Sequence, residues 1–503
     1  MEFLIKKYRD QTQRGTIMNH PKIRKEISME TIIQQITLEL GRKITKKALS
    51  GGLNDIDAFS HDIFTDCKEA SVLMIETICK ELNLKIRQDK EARKSLGLTL
   101  KEKDRKRELL TELGRIEIAR DYYQDKKNNR YVYPLDHAVG IRKYERVGDI
   151  ISARMVSLAT EMSYAKSAAI GSDNKLSRQT VKNHIKKLKP LEKKVESEEQ
   201  KRIKELHIYA DEDHAHMQRP GKKKGKRSGK RSKIVPLVTV TEGIRKESKG
   251  RNRTIASMHF VDENFDTKRL WKSVQGYIEK EYDIGAIDNI YIHADGGKWI
   301  KNGLEDLSMV VRVMDGYHVE KRIRSFACKF PKKNVATRIK TAIKANDRKR
   351  ADEILQSLYD VCEDEKQTKS VEEFGRYLMG NWKEIVSRRT LDIPGSCTEA
   401  QVSHVLSERF SRNPIGWSEE GLGKLSKLRV YMKNGGRITA DEFKPGSDDK
   451  ESYSDYARRV LDEAVAERMD WSIFDKEPPI LNGASATQSL IQGMGSLKNT
   501  FWS

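Results

Sequence analysis

The chain has 503 residues and carries 97 Lys and Arg against 75 Asp and Glu, a formal net charge of +22. That length exceeds one typical core and predicts about two to four domains; the cation excess argues against a cytosolic enzyme of small molecules and for a polyanionic partner, usually nucleic acid, over a merely solvated basic surface. Cys67, Cys79, Cys328, Cys362 and Cys397 form no C-x-x-C pair, which disfavours a structural zinc site and a disulfide framework, and no apolar run approaches the roughly 20 residues that span a bilayer, so a soluble, cytoplasmic protein is expected.

Residues 1–110 read as a charged, helical N-terminal region. Ile32, Ile33, Ile36, Leu38 and Leu40 support one helix, and Val72, Leu73, Ile75, Ile78 and Leu82 another. Residues 111–136 change period. Ile116 and Ile118 alternate with charges, and Tyr131, Val132 and Tyr133 follow a Lys126-Lys-Asn-Asn129 turn, which signals a β-hairpin. Residues 137–190 turn helical again. Ser177 is an N-cap candidate for a helix whose apolar face is Val181, Ile185 and Leu188. Its other face holds Arg178, Gln179, Lys182, Asn183 and Lys186. A helix-turn-helix presents its second helix to a DNA major groove in this way, although a solvated amphipathic helix has the same pattern.

The stretch Leu206-His-Ile-Tyr-Ala-Asp-Glu-Asp213 alternates as a half-buried strand and ends in acids. Asp211 and Asp213 project from the same side of it. Arg219 to Lys233 follows, with nine cations, three glycines and no acid. Its Lys222, Lys223, Lys224, Lys226, Arg227, Lys230 and Arg231 are candidate phosphate contacts, or a solvated loop. Strands are expected at 234–241 and 254–261, a helix at 267–282, a strand closing on Asp295, and another at 309–314. Three consecutive strands, a crossover helix and a strand bearing an acid match a ribonuclease-H-like α/β arrangement. Its first and fourth strands lie side by side, which would bring Asp211 to Asp295. Residues 205–317 are thus the first part of a catalytic core. Residues 318–390 read as a helical insertion, 391–435 as the last part of the core, and 436–503 as a polar tail.

Glu399 falls on the stripe of Val402, Leu406 and Phe410, so its acid is expected to face the protein body; Ser396-x-x-Glu399 also fits a capping box. Asp211, Asp295 and Glu399, with Asp213 as a substitute for Asp211, are hard oxygen donors suited to Mg²⁺ or Mn²⁺. Two such ions about 4 Å apart activate an attacking water or 3′-hydroxyl and stabilise the leaving oxygen. His214 and His216 raise a zinc reading that lacks a third ligand. His318 is an accessory candidate, contacting phosphate or orienting a metal-bound water, or else a structural histidine.

Taken together, Tyr122-Tyr-Gln-Asp-Lys, Ser163-Tyr with Leu176-Ser-Arg-Gln-Thr-Val181, Ala210-Asp-Glu-Asp-His214, His293-Ala-Asp-Gly-Gly-Lys-Trp-Ile300, Glu399-Ala-Gln-Val-Ser-His-Val-Leu-Ser-Glu-Arg409 and Pro414-Ile-Gly-Trp417 with Gly421 resemble bacterial insertion-sequence transposases of the ISLre type. These are related to the Mutator-like group of DDE transposases. The resemblance covers about residues 110–430. It implies a ribonuclease-H-like domain with its acidic triad on Asp211, Asp295 and Glu399. Asp315-x-x-His318 is similar to the D-x-x-H element of Mutator-like enzymes, though only 20 residues beyond Asp295. The expected activity is Mg²⁺-dependent DNA cleavage and strand transfer. The expected partner is double-stranded DNA at transposon ends and target, bound by a homodimer or larger assembly near the bacterial nucleoid. A nuclease without strand transfer and a domesticated, non-catalytic DNA-binding regulator are the rival readings.

Overall fold

Short polar side chains begin most of the helices. Asp55, Ser163, Ser177, Asp266, Asp347 and Asp364 each accept a backbone N–H in the first turn, which satisfies a donor the helix itself cannot. The computed structural model describes residues 29–193, 199–218, 232–248, 251–304, 307–391, 393, 397–413 and 415–444, with 456 and 459. The chain divides into two compact units, residues 1–148 with 445–503, and residues 149–444. No helix among the described residues is long and apolar enough to cross a membrane.

In the first unit, helices Met29–Leu49 and Ile56–Gln88 form a hairpin. Its turn requires glycine: Gly51 has φ +96°, and a Cβ on Gly52 would lie 2.7 Å from the Lys47 carbonyl oxygen. Strands β1 (Leu98–Thr111), β2 (Gly114–Asp125) and β3 (Arg130–Val132) follow as an antiparallel sheet. Cys79, Leu82 and Ile86 pack on Ile116, Ile118, Tyr123 and Val132. Strand β1 corrects the expectation of helix up to residue 110. Its register slips between Leu100 and Glu102 and again before Arg105, so charged residues fall out of step and period two is hidden. The 126–129 turn is held by Asp125, whose Oδ1 accepts from the N–H groups of Lys127 and Asn128.

The second unit opens with helices Asp149–Glu161, Tyr164–Gly171 and Arg178–Lys187, packed on one another. A mixed five-stranded sheet follows: β4 (Glu205–His216), β5 (Ser232–Thr241), β8 (Met258–Phe260), β9 (Asn289–Ala294) and β10 (Val310–Met314). Its spatial order is β10-β9-β4-β5-β8. Strands β4, β5 and β8 are antiparallel in succession, whereas β9 is parallel to β4 and β10 parallel to β9. The expected strand at 254–261 is two pieces. A ribbon of β6 (Gly243–Ser248) and β7 (Arg251–Ile255) stands apart from the sheet, and Ala256, with φ +49°, breaks the run before β8.

The sheet has two unlike faces. Leu206, Ile208, Ala210, Ile290 and Ile292 pack on Leu270, Trp271, Val274 and Ile278 of the Thr267–Glu281 crossover helix. The opposite face carries His207, Tyr209, Asp211 and Asp213 on β4 with Tyr291 and His293 on β9, all buried. The expected helical stretch begins at Gly316 and contains five helices up to Thr390. It has its own core, including Ile323, Ile339, Leu355, Phe374 and Leu378. Thr398–Val402, a π turn at Ser403–Ser407, and Glu408–Phe410 then run as one helical stretch, followed by helix Glu419–Lys433. Ordered packing continues past residue 436, where a tail was expected: Ile438 is buried and the unit extends to Lys444.

Candidate functional site

Parallel pairing of β4 with β9, in register at Tyr209↔His293, sets Asp211 and Asp295 each two residues beyond that pair. Asp211 is 7% exposed, and its Oδ1 accepts the Glu212 N–H at 2.8 Å. Asp295 sits in the loop that leaves β9; its Oδ1 accepts the Gly297 N–H at 2.9 Å, across Gly296 at φ +92°. His318 lies in the first turn of helix Gly316–Ala327, which Asp315 caps by accepting the Tyr317 N–H. The His318 Nε2 stands 4.0 Å from Asp211 Oδ2 and 3.7 Å from Glu399 Oε1. That nitrogen is buried and makes no hydrogen bond.

Burial pushes the Asp211 carboxyl up to about 6; the negative charges of Asp295 and Glu399 add to the rise, while the Glu212 N–H and His318 oppose it. No Lys or Arg among the described residues forms an ion pair with Asp211, and an uncompensated buried carboxylate is costly. Glu399 departs from expectation. Its side chain is 56% exposed, because Thr398, rather than Glu399, continues the buried stripe of Val402, Leu406 and Phe410. Cys397 occupies the N-cap, so the helix does not start at the Ser396 capping box. Glu399 therefore stands at the rim, 3.7 Å from the His318 Nε2 that also lies 4.0 Å from Asp211.

Asp213 shares the face of Asp211 and is 6% exposed, but its setting differs. Its Oδ1 accepts from Ser407 Oγ at 3.0 Å and Ser411 Oγ at 2.8 Å, while Oδ2 is buried without a partner. Asp213 thus ties β4 to the end of the π turn. Neither serine was visible as a partner in the sequence, because a π turn inserts a residue that a regular wheel misplaces. Trp299 stands in the stretch His293 to Ile300. Its Nε1 donates to Glu212 Oε2 at 3.0 Å and joins the segment after Asp295 to β4.

Among the described residues, no group of three or more His, Cys, Asp and Glu side chains is spaced to hold a metal ion. His214 and His216 are both exposed. The oxygen donors of Asp211, Asp295 and Glu399 have the right chemistry for a hard divalent cation. The His318 Nε2 lies near both Asp211 and Glu399.

On helix Arg178–Lys187, Arg178, Gln179 and Asn183 are exposed and Lys182 is half-buried. Gln179 Nε2 donates to Asn183 Oδ1 at 2.8 Å. Lys186 departs from the expected free cation: it pairs with Glu420 of helix Glu419–Lys433. Lys222, Lys223, Lys224, Lys226, Arg227, Lys230 and Arg231 lie outside the described residues.

A model of UPF0236, an uncharacterised protein family, matches residues 52–445. A UPF0236 protein of Caldanaerobacter subterraneus subsp. tengcongensis, whose name joins eleven locus labels, is 36% identical over 372 residues, covering 73% of this chain and 76% of its own. A second from that organism, whose name joins four labels, is also 36% identical over 372 residues, with the same coverage of both chains. A UPF0236 protein in the vanSb 3′ region of Streptococcus gallolyticus is 23% identical over 325 residues, covering 62% of this chain and 69% of its own. Among solved structures, the Drosophila P element transposase strand transfer complex aligns at 12% identity and a TM-score of 0.22, over 66% of this chain and 94% of that one. A likeness that slight carries no argument.

Proposed function

The chain belongs to the UPF0236 family, and from its own geometry we propose that it is a DNA transposase with a ribonuclease-H-like core. The observation that carries the reading is the sheet. Its order is that of three antiparallel strands flanked on the first by a fourth and fifth running parallel to it, with Asp211 midway along the first and Asp295 just beyond the end of the neighbouring parallel strand. The multiple locus labels of relatives in one organism support it further, since copies at many loci are what a mobile element leaves behind.

In this reading Asp211, Asp295 and Glu399 hold Mg²⁺ or Mn²⁺ against the scissile phosphate. Bound there, the ions would lower the pKa of the attacking water or 3′-hydroxyl and stabilise the leaving oxygen. Asp211 and Asp295 are the fixed members, set by strand pairing and by the Gly297 N–H. Glu399, on the rim, closes the set when DNA enters. His318, near both Asp211 and Glu399, is placed to reach phosphate or the attacking water. The Arg178–Lys187 helix takes the major groove of the terminal inverted repeats. Two ends brought together require at least two copies.

The test is cleavage of DNA carrying the ends of the chain's own element, with Mg²⁺ and with EDTA, for wild type beside Asp295→Asn. Metal-dependent cleavage by wild type, reduced at least a thousandfold in the variant (about 4 kcal/mol of barrier), is expected. Equal cleavage by both would sink the assignment of Asp295. Joining of pre-cleaved ends to target DNA separates a transposase from a nuclease, which cleaves without joining.

A further inference from the structure

The helix that carries His318 to the acidic residues continues as a row of cations. On helix Gly316–Ala327 the buried side chains are Ile323 and Phe326. Lys321 and Arg322 follow His318 by three and four residues, so both lie one turn from it and beside it on the helix surface. Both are exposed. The Lys321 ammonium stands 5.5 Å from the Tyr317 ring centre, and the Arg322 guanidinium carbon 4.3 Å from that of Tyr377. Each cation thus rests on an aromatic face. Tyr317 is itself 56% exposed, and its ring meets the His318 ring edge to face.

Neither cation is neutralised by an acid. Glu320 is the only Asp or Glu between residues 316 and 346, against nine Lys and Arg, and it pairs with Arg324 and Lys340. Lys321 and Arg322 form no ion pair among the described residues, although Asp211 and Glu399 stand within 4.0 Å of the neighbouring His318. The imbalance is local. Residues 351–374 of the same helical stretch hold eight Asp and Glu and two Lys. A surface that serves solubility alone intersperses both signs. Here they are segregated, and the positive half is the one that begins at the carboxylates.

We propose, on the reading of the site as one for DNA phosphoryl transfer, that Lys321 and Arg322 bind the phosphate next to the scissile one and so align the strand to be cut. A cluster of carboxylates repels a DNA backbone until cations are bound. A Lys or Arg placed among them would pair with Asp211 or Glu399 and occupy the oxygens a metal needs. Cations one helical turn away, about 5.4 Å along the axis, leave those oxygens free and attract the neighbouring phosphate instead. Lys321 and Arg322 are positioning residues in this account, and they act on the substrate strand rather than on the reacting atoms.

The test is fluorescence anisotropy with DNA carrying the ends of the chain's own element, in the Asp295→Asn background so that the DNA stays intact. Lys321→Gln and Arg322→Gln are each expected to weaken binding about tenfold and to lower the slope of log affinity against log salt by about one. Lys321→Arg, which keeps the charge, should bind as the parent does. A neutral methylphosphonate beside the scissile phosphate should weaken the parent and leave the double variant, Lys321→Gln with Arg322→Gln, indifferent. Unchanged affinity in both single variants, or a double variant as sensitive to the methylphosphonate as the parent, would overturn the proposal. Both positions are exposed, so melting temperatures should not move. Should a variant misfold, the methylphosphonate scan of the parent decides, since a flat profile on both sides of the scissile phosphate excludes the contact. Cleavage lost in Asp295→Asn alone but retained with unaltered KM in Lys321→Gln and Arg322→Gln would strike this proposal and leave the catalytic reading. Cleavage retained in Asp295→Asn would strike the catalytic reading and this one with it.

Discussion

Asp211 and Asp213 are two residues apart on one strand face, and their surroundings assign them different work. Asp213 Oδ1 takes two serine hydroxyls from another element, whereas Asp211 accepts only a backbone N–H and faces His318. Substitutions should separate the two. Asp213→Ala leaves Ser407 and Ser411 without their acceptor and should cost about 1–3 kcal/mol of stability; Asp213→Asn, which retains an oxygen, should cost less. Asp211→Asn removes a buried charge that no Lys or Arg among the described residues offsets. It is expected to leave thermal stability intact while abolishing cleavage. Denaturant titration of the three variants beside the cleavage assay checks this, and stability loss concentrated in Asp211→Asn would reverse the assignment.

At the scale of elements, the Arg178–Lys187 helix proposed to meet DNA is only partly free to do so. Arg178 is exposed, but Lys186 is paired with Glu420 and its carbonyl accepts from Lys424 Nζ. Arg178→Ala and Lys182→Ala should each weaken DNA binding and lower the slope of log affinity against log salt by about one. Lys186→Ala should change that slope less, because its charge is already partly neutralised. Fluorescence anisotropy over a salt series measures all three, and an equal slope change for Lys186→Ala would show that the pair opens on DNA. This helix was readable from Ser177, Val181, Ile185 and Leu188, and β4 and β9 from their clean alternation, although β4 runs past its acids to His216. Those signals are local. Strand β1 was hidden by bulges that break its period, and the β6–β7 ribbon by a single left-handed residue, Ala256. The exposure of Glu399 and the serine ties of Asp213 depend on where a helix begins and where its ladder slips, which hydrophobic period alone does not determine.

In the second unit one helix touches both the helices at its start and the π turn beside Asp213. Arg429, 1% exposed on helix Glu419–Lys433, donates to the carbonyls of Thr160 and His404 and pairs with Glu161. It thereby joins helix Asp149–Glu161 to the π turn beside Asp213. Just past that helix, Asn434 clamps edge strand β8: its Oδ1 accepts the His259 N–H and its Nδ2 donates to the His259 carbonyl. The His259 ring is buried, bonded to Thr239 Oγ1, and pushed down to about 4 by burial, with Lys433 adding to the shift. An unfolded histidine titrates near 6.5. As pH falls below 6.5 the unfolded chain gains a proton that the folded one refuses until about 4, so His259 lowers stability progressively over that window. The full effect is about 3 kcal/mol. His259→Gln removes it. The variant should be the less stable at pH 7, having lost its fit to Thr239, and the gap should close by about 3 kcal/mol between pH 6.5 and 4. Comparing the two proteins cancels other titrating groups, Asp211 among them, whose raised pKa acts in the opposite direction. Denaturant melts of both at pH 7, 5.5 and 4.5 provide the check, and a gap that stays constant with pH would mean that His259 takes up its proton in the folded sheet, with the edge open to water.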